Sequence, residues 1–368
     1  MEKMISVKGN TLRYAREYYD VTIREVCEKT KIKEELLRNY EAGTDFPSYA
    51  QLEKLADYYN RPMFFFFFAD QPITSNAQVA FRSIEKSCGE ELSKHTRELI
   101  EKAEMYRTNL IELFENDTPA CFRNLIGAYE SDLDLIKKLR ILLDLDLMKQ
   151  KNFGRPELLL EYLRDQMFQM GIYVFKDSFK NDNISGLCTY DELFPVILIN
   201  NKTSIKRQLF TLFHEVYHII LGEADIDYTN KNEETKCDHF ASHFLIPQED
   251  LQRQIEDIDD LEDIQYLDEL ARRYLVSRDA LMYRLVQLDR LEWEFYREHC
   301  LGAFRVNSNS VGGNFYFTKM SYLGNAYLNK VFSSYYKGKI SKPQVGIYTG
   351  LKTVHVSKLA SKMIGGAF

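Results

Sequence analysis

Acidic residues are missing from Leu301 to the end of this chain, where nine Lys/Arg (Arg305, Lys319, Lys330, Lys337, Lys339, Lys342, Lys352, Lys358 and Lys362) stand without one Asp or Glu. The rest, with 39 Lys/Arg against 55 Asp/Glu, carries a net charge of −16, so a basic, tyrosine-rich tail follows an acidic body. Such asymmetry marks either a surface for nucleic acid or an acidic partner, or a tail that packs on its own acidic body, with Asp257–Asp263 as a local counter-charge. Cysteines are few: six, with no CxxC pair and no regular spacing. That excludes a disulfide framework and fits a reducing compartment. Long apolar runs are absent too. The longest, MFFFFFA at Met63–Ala69, falls far short of the roughly 18 residues that span a bilayer. The opening MEKMISVKGN lacks the apolar stretch of a signal peptide. A cytoplasmic protein without a membrane partner is therefore expected.

What is present is enough apolar sequence, 45% over 368 residues, for more than one core. Residues 10–68 show short helical patterns broken by turns. Thr22 with Glu25, and Ser48 with Gln51, match the capping box that opens a helix. Pro62 suits a first helical position, so RPMFFFFF reads as a short helix whose phenylalanines close the core of this bundle. From Ala77 to Gln150 the chain is charged and helical, with Leu99, Ala103, Tyr106, Leu110, Leu113 and Phe114 at helical spacing. It reads as a packing layer without chemistry. Gly154 and Pro156 break it. A helix to about Met170, a strand at GIYVF and a hairpin around ISGLCTYDELFPVILIN follow.

The stretch LFTLFHEVYHIILGE, Leu209–Glu223, places two of the seven histidines four residues apart in an apolar run. Four residues is one helical turn, so His214 and His218 can present both imidazoles to one ion. Glu215, one step around the helix, then stands where a general base would act on a water. Histidines in a buried helix need partners, and a catalytic zinc needs a third protein ligand with one position open. The metzincin continuation would require Gly at 221 and His at 224, where this chain has Leu221 and Ala224. Downstream, NEETKCDHFASHFLIP (Asn232–Pro247) offers a second helix bearing Glu234 as carboxylate ligand and, one turn on, Asp238 to hold a zinc histidine by its outer N–H. Glu233 is the runner-up third ligand, with His239 and His243 weaker ones. Tyr190 and His243 are the nearest guesses for an oxyanion donor. Cys188 reads as a packed hairpin residue, or else as an oxidation sensor beside the site.

Two resemblances rest on these motifs. TIREVCEKTKIKEELLRNYEAGTDFPSYAQLEKLADYYNRP resembles the XRE (lambda-repressor-like) helix-turn-helix family. By that resemblance Lys33, Glu34 and Glu35 open the reading helix, with Arg38, Asn39 and Thr44 near a nucleic-acid backbone. Two carboxylates at that end, and 11 Lys/Arg against 12 Asp/Glu over residues 1–70, give no basic footprint. DNA and a protein partner, particularly another helix-turn-helix protein, stay open as its ligand. ISGLC, PVILIN, RQLFTLFHEVYH and ETKCDHFASHFLIP occur in the order seen in the ImmA/IrrE metallopeptidases, and the likeness covers about 155–290. It implies zinc ligands at His214, His218 and Glu234, a catalytic Glu215, and a substrate lying extended along the hairpin edge. The family's usual Leu-Gly and Ala-Asn are here Val216-Tyr217 and Cys237-Asp238.

The expected architecture is multidomain and mainly α: an XRE-like all-α helix-turn-helix bundle at 1–70, a helical connector at 71–150, an α+β zincin-like metallopeptidase core with a helical end at 151–300, and a small basic α-rich module at 301–368. In that module GKISKPQVGIYTGLKTVHVSKLASKM reads as a second, minimal helix-turn-helix with Val345, Ile347, Leu351, Val354 and Leu359 as its core. Tyr322, Tyr327, Tyr335 and Tyr336 serve packing or base stacking. Two functions follow. One is a regulatory zinc endopeptidase that cleaves a partner protein, a helix-turn-helix repressor by resemblance, in a stress, mobile-element, phage-defence or toxin–antitoxin circuit. The other is a DNA- or protein-binding regulator, antitoxin-like, whose zincin domain is a binding module. Expected partners are that protein substrate, DNA through the N-terminal domain or tail, and a second copy of the chain.

Overall fold

A computed structural model describes residues 6–67, 93–115, 117, 119–179, 184–222, 231–258, 261–300 and 314–365. Residues 71–92 of the expected 71–150 connector and residues 301–313 of the tail lie outside them. The chain divides after Glu101 into two compact units.

The first unit holds α1 (Gly9–Tyr18), α2 (Ile23–Thr30), α3 (Glu34–Ala42), α4 (Tyr49–Tyr58) and a 3-10 turn at Met63–Phe67. Both expected capping boxes are formed, at Thr22 and Ser48. Leu12, Val26, Leu37, Leu52, Leu55 and Phe66 make the core. The phenylalanine run contributes less than expected. Phe66 is buried, while Phe64 and Phe67 are 63% and 41% exposed, because a three-residue turn points only every third side chain inward. Among the reading-helix positions, Lys33 is the N-cap residue of α3 and Glu34 pairs with Arg38 at 2.6 Å. The Asn39 carbonyl accepts from the Thr44 amide and hydroxyl.

In the second unit, after α5 (Lys94–Leu113), come α6 (Phe122–Ile126), α7 (Asp132–Leu142), α8 (Leu147–Asn152) and α9 (Pro156–Met170), which Pro156 opens. The sheet is β1 (Tyr173–Asp177), β2 (Gly186–Thr189) and β3 (Val196–Asn200), in the order β1-β3-β2. β3 is central, parallel to β1 and antiparallel to β2, so β2 is an edge strand. All three strands are almost wholly buried. Helices α10 (Ile205–Leu221) and α11 (Lys231–Leu245) pack on each other, and α10 lies against β2 and β3. Then follow α12 (Gln248–Ile255), α13 (Ile264–Arg273), α14 (Arg278–Gln287) and α15 (Trp293–His299). No helix of the described residues is long and apolar enough to cross a membrane.

The tail forms α16 (Phe315–Leu323), α17 (Asn325–Tyr336), α18 (Lys342–Thr349) and α19 (Thr353–Gly365). Its core differs from the expectation. Val345, Leu351 and Leu359 are buried, but Ile347 and Val354 are 63% and 77% exposed. Tyr348 and Val356 replace them, since each helix buries the face three residues on from Val345 or back from Leu359. Tyr327 is buried and its hydroxyl donates to the Tyr348 carbonyl, so it is packing rather than a stacking platform. Lys330 and Lys339 both reach Asp117, while Asp259 and Asp260 of the expected counter-charge lie outside the described residues.

Arg164, 3% exposed, ties this module to the sheet. Its guanidinium donates to the carbonyls of Val174 at 3.0 Å, Ser321 at 2.7 Å and Tyr322 at 3.0 Å, and to Glu161 at 2.9 Å. Arg164→Ala would strand the buried Val174 carbonyl and the part-buried carbonyls of Ser321 and Tyr322, and leave Lys176 to face Glu161 alone. A loss of about 3–5 kcal/mol in unfolding free energy is expected from chemical denaturation.

Candidate metal centre

Helix α10 starts at a serine cap, Ser204 accepting from the Arg207 amide at 3.2 Å, and stops at Gly222 in the left-handed region. Between them almost every side chain is buried, the pattern of a helix enclosed on all sides. Two aromatic stacks fix α11 against it: Phe213 on Phe244 with centroids 3.7 Å apart, and Tyr217 on Phe240 at 4.6 Å. The Tyr217 hydroxyl also donates to Asp132 at 3.0 Å.

This packing brings one turn of each helix together. His214 Nε2 and His218 Nε2 are 3.3 Å apart. Glu234 Oε2 is 3.2 Å from His214 Nε2, and its Oε1 is 3.5 Å from His218 Nε2. Three donors around a tetrahedral zinc at 2.0–2.1 Å would lie about 3.3 Å from one another, so the residues fit such an ion. Asp238 Oδ1 takes the outer nitrogen of His214 at 2.9 Å, the usual support for a metal-bound imidazole. His218 Nδ1 is buried and has no hydrogen-bond partner among the described residues.

The electrostatics favour a cation. Burial alone would lower the His214 pKa, yet the Asp238 and Glu234 carboxylates hold it at about 10. Glu234 is pulled down to about 2: burial opposes the shift, and hydrogen bonds to His214 and His218 override it. Glu215 is the reverse case, since burial raises its pKa more than the two histidines lower it. Its side chain hydrogen-bonds Cys188, which is itself buried on β2. Gly186, on the same face of β2 two residues earlier, leaves the space that the Glu215 carboxylate fills; a Cβ there would lie 2.9 Å from Glu215 Oε1.

Thus His214, His218, Glu215, Glu234 and Asp238 converge. The Glu233 side chain lies outside the described residues. His239 and His243 face away: they stack edge-on with each other, and His239 with Tyr283. Burial and the nearby Arg284 push His243 down to about 4. Tyr190 sits under the Arg123 guanidinium at 5.1 Å. Sequence reasoning missed Cys237. Its sulfur lies within 4.8 Å of a nitrogen of each site histidine and forms with them a second group able to hold a metal. The only signal for it was its place one turn after Glu234. Lys33, Glu34, Glu35, Arg38, Asn39 and Thr44 belong to the other unit.

A peptidase-family model described as the IrrE N-terminal-like domain matches residues 168–286, and a helix-turn-helix domain model matches residues 9–62. No curated protein and no solved structure matches the chain. The chain thus carries a helix-turn-helix domain followed by an IrrE-like peptidase domain, the make-up of a regulatory protease or regulator.

Proposed function

We propose that this chain is a regulatory zinc endopeptidase that cleaves a partner protein, a helix-turn-helix repressor in a stress, mobile-element, phage-defence or toxin–antitoxin circuit. The observation that carries this reading is the convergence of His214 Nε2, His218 Nε2 and the Glu234 carboxylate, the two nitrogens 3.3 Å apart and each 3.2–3.5 Å from one of its oxygens. In this reading those three residues hold the ion, Asp238 orients His214, and a fourth position stays open. Zinc, when bound, supplies Lewis acidity that polarises a carbonyl and acidifies water.

The remaining steps belong to the chain. Glu215, buried and with its pKa raised by that burial, takes the proton of the attacking water and passes it to the leaving nitrogen. The free edge of β2 pairs with an extended substrate through backbone hydrogen bonds. Glu34 and Glu35 at the start of α3 favour a protein over DNA as the ligand of the helix-turn-helix domain, because DNA affinity rests on phosphate neutralisation. Asp238→Ala is expected to weaken zinc binding by roughly tenfold to a hundredfold, read by chelator competition on the full chain.

The deciding experiment compares new protein N-termini in host cells carrying the wild type or Glu215→Gln, under DNA damage, oxidative stress and phage challenge, with the zinc content of both proteins measured. A cut made only by the wild type, with zinc equal in both, supports the endopeptidase and names its substrate. Identical N-termini under every challenge would turn the reading to a binding regulator.

A further inference from the structure

A cavity of about 230 Å³ lies beside the proposed metal site, lined in part by Arg207, Phe210, Asp238, Ala280, Tyr283 and Tyr296. Its relation to the site follows from the helices. Phe210 and Arg207 precede His214 by one and two turns of α10, so they continue its face toward the helix start. Asp238 is shared, since it both lines the cavity and holds His214. Arg207 Nε donates to Ser185 Oγ at 3.4 Å, the residue just before β2. A peptide running along the β2 edge past the site would therefore reach the cavity at the end of β2 nearest Ser185.

The chemistry of the walls selects what enters. Tyr283 and Tyr296 line it with ring centroids 6.2 Å apart, and Phe210 lines it under the Arg207 guanidinium at 5.4 Å. Ala280, in the first turn of α14, is the small residue among them. Of the charged groups in the lining, Asp238 holds His214, and Arg207 donates to Ser185 and lies over the Phe210 ring. We infer that this cavity is a specificity subsite taking one large aromatic side chain, tyrosine or phenylalanine, next to the scissile bond. Three aromatic rings in the lining suit that shape. The inference rests on the peptidase reading for its place in the reaction, but not for the binding itself.

The test separates the two. Zinc-loaded full chain carrying Glu215→Gln is titrated with N-acetyl-tyrosinamide and with N-acetyl-alaninamide, following the ligand by NMR. The same is done after adding Ala280→Phe, which fills the cavity, or Tyr283→Ala, which removes a wall. In parallel, the wild type and Ala280→Phe are offered a mixed peptide library. At least a tenfold preference for the tyrosine derivative, lost in either variant, is expected, together with cleavage beside aromatic residues that Ala280→Phe shifts to small ones. Equal binding of the two amides, or a preference untouched by both variants, overturns the inference. Aromatic binding without any cleavage would uphold the cavity and remove the peptidase reading. Indiscriminate cleavage without aromatic binding would do the opposite.

Discussion

Glu234→Ala is expected to raise the zinc dissociation constant by more than a hundredfold, while Cys237→Ala changes it by no more than a few-fold. The two residues compete for one role: both stand on α11 near His214 and His218, and each completes a group of three donors. Glu234 has the separations that the role needs. The Glu234 oxygens sit at 3.2 and 3.5 Å from the two Nε2 atoms, close to the separation that a tetrahedral zinc imposes. The Cys237 side chain, by contrast, is fully buried. Exposure points the same way, because Glu234 is 26% exposed and leaves a side open to substrate, as a catalytic zinc requires. A site that also took the Cys237 thiolate would have four protein ligands, the closed arrangement of structural zinc. Loss of a direct ligand should exceed the tenfold to hundredfold cost of losing an outer-shell partner. Chelator competition, with thermal unfolding to confirm that each variant folds, gives the answer. Equal zinc loss in both variants would make the site structural and remove the proposed chemistry.

The sequence made part of this centre readable because its determinants are local. A histidine pair one turn apart, a glutamate beside it, and a carboxylate pair four residues apart on the next helix need only helical geometry to be interpreted. The capping boxes at Thr22 and Ser48 are legible for the same reason. What escaped depends on contacts distant in the chain. Tyr217 looked like a departure from the family pattern, and only its stack on Phe240 shows it holding the two site helices together. Lys330 finds its counter-charge 213 residues away at Asp117. Periodicity also marks a stripe without fixing which side of a short helix faces inward, and this is how Ile347 and Val354 came to be misplaced.

Gly186 belongs to that unreadable class, and its substitution should have the largest effect of any residue that touches no ligand. A Cβ at Gly186 would lie 2.4 Å from Thr211 Cγ2, 2.9 Å from Glu215 Oε1 and 3.2 Å from Glu215 Cγ. Thr211 and Glu215 are one turn apart on α10, so the clash of the new methyl is relieved by moving the helix that carries both histidines, by pushing β2 off β3, or by turning the Glu215 side chain. The easier movement is that of the Glu215 side chain. Displacing a reacting group by about 1 Å costs on the order of a hundredfold in rate, and the overpacking itself about 1–3 kcal/mol of stability. Gly186→Ala should therefore lower kcat on the identified substrate roughly a hundredfold with zinc affinity unchanged. Glu215→Gln, which keeps the shape and removes the base, should cost about a hundredfold to ten-thousandfold. Thr211→Ser removes the methyl nearest to the new Cβ. Added to Gly186→Ala, it should restore much of the lost stability but little of the rate, because the contact with Glu215 remains. Activity of Gly186→Ala within threefold of wild type would mean that the Glu215 carboxylate does not need the position it occupies, and the general-base assignment would fall with it.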